Sequence, residues 1–229
     1  MHMKILLFCE DFYHPRHLAE EGTRLLVKNC VTLDIIDDAT NLNPAVFENY
    51  DVIILSKSDN VSKAKHKDPW KTPEVQAAFV KFVENGGGLL VVHSGIVCEY
   101  GGAEVLEELI GCRFVWHPND CPVTVGVLKN HPVTAGVKIF TETDEHYHAE
   151  ITSADADILA ASFADAQGNP AEYKSEPYFN APAHIAPCVF VRTQGKGRVC
   201  VLTPGHTEKV WKNPEFQRLL ENAMKWCAG

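Results

Sequence analysis

The sequence predicts an α/β fold, a doubly wound and mostly parallel sheet whose functional site lies at the carboxyl ends of its strands. Three observations lead there. The early apolar runs are continuous rather than alternating, as in strands buried on both faces. Strand and helix signals alternate from the start of the chain to Val92, which implies crossover connections. Histidines with glycine close by follow two of the apolar runs, in the place where open parallel sheets bind ligands.

Lys4 to Cys9 is the first strand. Pro15 then opens a helix that carries Leu18, Gly22, Leu25 and Leu26 on one face. Val31 to Ile36 and Asp51 to Leu55 are the next two strands. The helix after them is the best marked: Thr72 serves as N-cap, Pro73 suits the first helical position and Glu74 the positive end of the dipole. Val75, Ala78, Phe79, Phe82 and Val83 form its apolar stripe, and Gly86-Gly87-Gly88 ends it. Leu89 to Val92 is a fourth buried strand. From about Cys112 to Pro187 prolines recur and strand signals shorten, as in Pro122 to Leu128 and Asp157 to Phe163. This stretch reads as an insertion or antiparallel extension, so residues 1–229 are taken as one domain. Val189–Arg192 and Arg198–Leu202 flank Gly195-Lys196-Gly197 as a hairpin. Asn213 caps the last helix, Pro214 opens it, and Phe216, Leu219, Leu220, Ala223, Met224 and Cys227 face the core.

Composition narrows the partners. Hydrophobic residues at 45% and charged residues at 22% are ordinary globular values, and 229 residues suffice for a substantial core. A net charge of −9 offers no footprint for a phosphate backbone, so nucleic acid is not an expected partner. The first apolar run is too short to span a membrane, and Glu10 and Asp11 follow it at once, unlike a secretion signal. No membrane partner and a cytoplasmic location are therefore expected. The eight cysteines form no Cys-x-x-Cys pair, and Cys9, Cys188, Cys200 and Cys227 sit in apolar runs as small buried hydrophobes of a reducing compartment.

Candidate functional residues lie just past the strands. His14 follows the first, Asp59 the third, His93 and Ser94 the fourth, and His206 and Glu208 the last. Leu90-Val91-Val92-His93-Ser94-Gly95 has the outline of a strand turning sharply into a loop, the geometry of a nucleophile elbow, although Gly-x-Ser-x-Gly is absent. Glu208, two residues after His206, is placed to orient that imidazole, or else is a surface residue before the final helix. Asp144-Glu145-His146-Tyr147-His148 puts Asp144, His146 and His148 on one face of an extended segment and Glu145 and Tyr147 on the other. It is either a polar edge strand or a source of metal ligands and an acid–base carboxylate. His117 and His131 each precede proline, which holds them extended; His131 is read as structural. The run from Lys57 to Lys71, with Lys63, Lys65, His66, Lys67 and Trp70, is a solvated loop or a cover for an anionic or polyhydroxylated ligand.

Taken in order, Asp51-Val-Ile-Ile-Leu, Phe82-Val-Glu-Asn-Gly-Gly-Gly-Leu-Leu-Val-Val-His-Ser-Gly, His131-Pro-Val-Thr-Ala-Gly, Asp144-Glu-His-Tyr, Gly197-Arg-Val and Pro204-Gly-His-Thr resemble the ThuA-like (trehalose utilisation) family. The resemblance implies a flavodoxin-like sheet of the class I glutamine amidotransferase type and a link to sugar metabolism. Amidotransferases of that type carry a cysteine nucleophile at the elbow. His93 stands in its place, Cys98 lies too far along, and only the His-x-Glu pair is matched, by His206 and Glu208. Without a thiolate no glutamyl thioester forms, so glutamine hydrolysis is not expected.

The expected function is an enzyme of carbohydrate metabolism acting on a small sugar or keto sugar. His93, Glu145 and His206 act as acid, base or metal ligands, Glu208 orients, and Ser94 is a further candidate nucleophile. His14, Asp59, His117 and Tyr147 are assigned to substrate. A divalent metal such as zinc would take His93, Glu145 and His206, with His148 in reserve. The alternative is a non-catalytic sugar-binding or regulatory module. The expected partners are a small-molecule carbohydrate and, as an option, further copies of the chain.

Overall fold

The apolar runs form the middle of one mixed sheet in a computed structural model, which describes residues 2–27, 31–60, 69–98, 101–164 and 185–229. Its strands are Met3–Phe8 (β1), Val31–Ile36 (β2), Val52–Leu55 (β3), Gly88–Val92 (β4), Cys112–Trp116 (β5), Cys121–Val127 (β6), Phe140–Asp144 (β7), His148–Ile151 (β8), Asp157–Ala164 (β9), Ile185–Gln194 (β10) and Gly197–Leu202 (β11). The helices are Arg16–Arg24 (α1), Pro73–Glu84 (α2), Glu104–Ile110 (α3), Glu208–Lys212 (α4) and Pro214–Cys227 (α5).

The main sheet runs β2-β1-β3-β4-β11-β10-β9-β6-β7, and β5 pairs with β8 apart from it. The first five strands are mutually parallel, in the flavodoxin order 2-1-3-4-5 when β11 is counted as the fifth. The remaining four are antiparallel, so the proline-rich stretch does extend the sheet. The order reverses between β1 and β3, and the carboxyl ends of β1, β3, β4 and β11 lie side by side along one rim.

Both faces are covered, which is why the inner strands carry continuous apolar runs. On β1, Ile5 and Leu7 join the core beneath α1, α4 and α5, as does Cys9 just past the strand, whereas Leu6 and Phe8 join the core beneath α2 and α3. The expected caps form: Thr72 accepts from Val75 N–H, and Asn213 from Glu215 and Phe216 N–H. Leu25, expected on the buried face of α1, is exposed, because the buried stripe runs through Ala19, Gly22, Thr23 and Leu26 and leaves Leu25 on the outer side. His131 is structural, as read: its Nδ1 accepts from Val133 N–H at 3.2 Å. The seven described cysteines are free, and no helix among the described residues is long and apolar enough to cross a membrane.

Phe79 ties α2 to the sheet. It is fully buried, with ring centroids 4.6 Å from Phe47 and 6.0 Å from Phe8. Phe79→Ala should cost about 3–5 kcal/mol of stability in urea unfolding, the range for emptying an aromatic core site. A loss below about 1 kcal/mol would show that α2 does not close this core.

Candidate functional site

Four segments deliver functional groups to the rim. After β1 the chain turns at Glu10, in the left-handed region at φ 69°, and buries Asp11. Asp11 Oδ1 accepts the N–H groups of Tyr13 and His14, both at 2.9 Å, and His14 Nδ1–H at 2.7 Å; Oδ2 accepts Ser58 N–H at 2.9 Å. Burial opposes ionisation of Asp11, but these donors outweigh it and hold the carboxyl well below the usual range. A carboxylate only accepts, so Nδ1 is the protonated nitrogen of His14, and in that tautomer Nε2 offers a lone pair.

After β4, His93 takes a left-handed turn at φ 47°, a conformation that costs a non-glycine residue about 1–3 kcal/mol. The elbow expected from the sequence is therefore present, with an imidazole at its tip. Gly95 is required two residues on, because a Cβ there would overlap the Leu55 carbonyl oxygen. His93 is buried, and its Nδ1 donates to the Thr203 carbonyl at 2.8 Å. That leaves Nε2 facing Glu145 Oε2 at 3.2 Å. Its other face stacks on Tyr147, centroids 3.9 Å apart.

The segment after β7 supplies Glu145 and Tyr147 to the same place. The expected alternation holds for these two, while His146 turns away to Ser162 Oγ at 3.0 Å and His148 stacks on Trp116 at 4.5 Å. Asp144 fastens this segment to the end of β11. Its carboxylate accepts Gly205 N–H at 2.9 Å and His206 N–H at 2.8 Å. Burial pushes Asp144 up to about 7 against those donors. Gly205 adopts φ 148° so that the chain can pass His93. His206 Nδ1 then lies 3.2 Å from Glu145 Oε2.

Glu145 is thus flanked by His93 and His206, with His117 Nδ1 at 3.6 Å from its other oxygen. Burial opposes its ionisation; the His93 contact and the neighbouring imidazoles outweigh that and hold it at about 2. Burial lowers His93 to about 4 and also lowers His206. His14 completes the group, its ring centroid 5.0 Å from His93 and 5.1 Å from His206. One ligand atom from each of His14, His93, Glu145 and His206 lies within 4.8 Å of the others, which is a set able to hold a metal. A cavity of about 380 Å³ opens beside it, walled by Tyr13, Phe114, Trp116, His117 and Tyr147, with Glu145 and His14 at its polar end.

The profile of the ThuA family, described as trehalose utilisation, matches residues 4–227. The chain belongs to the ThuA family. Solved structures support the fold. A protein described as ThuA-like from Bacteroides uniformis has 22% identity and TM-score 0.70, covering 98% of this chain and 91% of its own. Another from Parabacteroides merdae has 18% identity and TM-score 0.70, covering 100% and 90%. A protein described as cytoplasmic from Salmonella typhimurium has 13% identity and TM-score 0.62, covering 98% of each chain. No curated protein matches the sequence.

Within this ThuA chain, several residues singled out from the sequence lie elsewhere than expected. Glu208 does not orient His206: Thr207 caps α4, which carries Glu208 into its first turn, where it is exposed and pairs with Lys212. Glu145 holds the place beside His206 instead. Ser94 is fully buried with no hydrogen-bond partner for its hydroxyl among the described residues, so no base activates it. His148, the reserve ligand, is drawn off by Trp116. Asp59 is buried behind Ser58, which takes the cavity wall. Lys57 and Lys71, the ends of the basic run, are buried against backbone carbonyls, Lys57 on Glu10 and Asp37, Lys71 on Gly95 and Val97. Lys63, Lys65, His66 and Lys67 lie outside the described residues. The sequence reading gave Asp11 no role, although an acid three residues before His14 at a strand end is the signal for one.

Cys98 has no place in the cavity. Burial raises its thiol, and Lys71 Nζ lies 3.6 Å from its sulfur. A thiol-directed glutamine analogue should leave the protein unlabelled, checked by mass spectrometry. Stoichiometric labelling of Cys98 would contradict the absence of amidotransferase chemistry.

Proposed function

We propose that this protein is an enzyme of carbohydrate metabolism that acts on a small sugar or its oxidised, keto form where Glu145 meets His14, His93 and His206. The observation that carries the reading is a cavity lined by two unlike sets of groups. One is a wall of aromatic rings, among them Phe114 and Tyr147 at 4.8 Å and His117 and Tyr147 at 5.2 Å. The other is an ionised carboxylate among imidazoles. A sugar ring has the same division, with apolar C–H faces and a polar rim of hydroxyls. No lysine or arginine is among the described residues lining the cavity, which suits a neutral ring better than a sugar phosphate. The family description, trehalose utilisation, supports the carbohydrate class. A cytoplasmic setting belongs to the same reading.

The chemistry follows from charge. Glu145 stays ionised and can take a proton from a sugar hydroxyl, or from a carbon beside a carbonyl. His206, partly exposed and 3.2 Å away, would have to turn its ring into line to pass that proton on. Burial raises the Tyr147 phenol well above its usual value, so it remains a donor beside Glu145. Hydrolase, lyase and isomerase steps all use such a pair. The alternative, a non-catalytic sugar-binding or regulatory module, draws on the aromatic wall alone.

Assays of small sugars and keto sugars separate the two. Glu145→Gln should lower kcat about 10²–10⁴-fold while binding persists. Wild-type protein that binds sugars as well as the variant does, and converts none, would establish the non-catalytic module.

A further inference from the structure

We infer that His14 Nε2, His93 Nε2, His206 Nδ1 and a carboxylate oxygen of Glu145 bind one divalent transition-metal ion of the zinc type. The inference uses the same junction as the proposed function but does not depend on its substrate.

The tautomers come first. His14 Nδ1–H donates to Asp11, and His93 Nδ1–H donates to the Thr203 carbonyl. Both Nε2 lone pairs are thereby turned toward Glu145. An imidazole whose far nitrogen is held by a carboxylate or carbonyl is oriented and made more basic, the usual outer arrangement of a metal-bound histidine. His14 Nε2 and His206 Nδ1 are buried with no hydrogen-bond partner among the described residues. Leaving buried polar atoms unpaired is costly, and two at one junction call for a shared partner.

The partner must be positive. His93 Nε2 and the Glu145 carboxylate are both acceptors at 3.2 Å unless a proton or a cation lies between them. His93 is buried at this junction, and no lysine or arginine lines the cavity among the described residues. His206 Nδ1 is equally near Glu145, at 3.2 Å, yet is not aligned to hydrogen-bond to it. Two ligands of a tetrahedral ion with bonds of about 2.0–2.1 Å are separated by about 3.3 Å, so both separations match ligand edges. The full set lies within 4.8 Å, wider than those edges, so the ligands draw together on binding the ion. Three imidazole nitrogens and one carboxylate select zinc and its first-row neighbours over magnesium or calcium, which take oxygen ligands. The four ligands come from four strand ends, which is why no compact spacing announces them. Such an ion would polarise a sugar carbonyl or hydroxyl only by admitting it from the cavity as a fifth ligand.

The test uses the full chain without a histidine tag. Zinc and cobalt(II) are titrated into apoprotein, with metal content read by mass spectrometry and the cobalt centre by its visible absorption. Wild type should take up one equivalent and gain thermal stability with it. Asp11→Asn, which keeps all four ligands, should bind about 10–100-fold more weakly. His14→Ala and His206→Ala should lose more than that, and His148→Ala should bind as wild type does. Uptake well below one equivalent by folded wild type, or equal affinity in His14→Ala and His206→Ala, would overturn the inference. Stoichiometric metal without sugar turnover would leave the metal site standing and remove the enzymatic reading.

Discussion

Asp144 is the residue on which the site depends. Its carboxylate accepts the N–H groups of Gly205 and His206 and so ties the end of β7, in the antiparallel extension, to the end of β11, in the parallel half. Thr207 repeats the link by donating to the Thr143 carbonyl at 2.7 Å. Without this clamp Glu145 belongs to one half of the sheet and the three histidines to the other. With it, a carboxylate from the extension is lowered among imidazoles presented by β1, β4 and β11.

The parallel half supplies its histidines for a topological reason. In the order 2-1-3-4-5 the strand ends beside the reversal lie together, and each loop leaving them returns over a helix on one face or the other. His93 is delivered by a left-handed turn that non-glycine residues seldom adopt. The turn is held by its surroundings: Gly95 lies against the Leu55 carbonyl, Lys71 binds the carbonyls of Gly95 and Val97, and His93 Nδ1 binds Thr203. Strain at the elbow is thus offset by a close-packed frame, and the imidazole has one orientation available.

The fold was legible because burial on both faces writes itself as continuous apolar runs, and helix ends write themselves as Thr72-Pro73 and Asn213-Pro214. The site was legible only in part. His93, Glu145 and His206 stood out as titratable groups just past buried strands or in a dense polar run, and they do meet. Glu208 misled because spacing of two from His206 says nothing of where α4 begins; once Thr207 caps it, Glu208 faces water. His148 misled because alternation along Asp144–His148 puts alternate residues on opposite sides, so Glu145 cannot share its face with His148. His14 was seen as a substrate contact, since only the folded loop shows Asp11 turning its ring inward.

Two buried imidazoles are locked with their lone pairs toward one carboxylate. Long-range ¹H–¹⁵N correlation spectra of the histidine rings, recorded on metal-free protein at neutral pH, test this arrangement most directly. His14 and His93 should each show a proton on Nδ1 and a bare Nε2. A proton on Nε2 of His93, whether as the other tautomer or as the imidazolium, would contradict it.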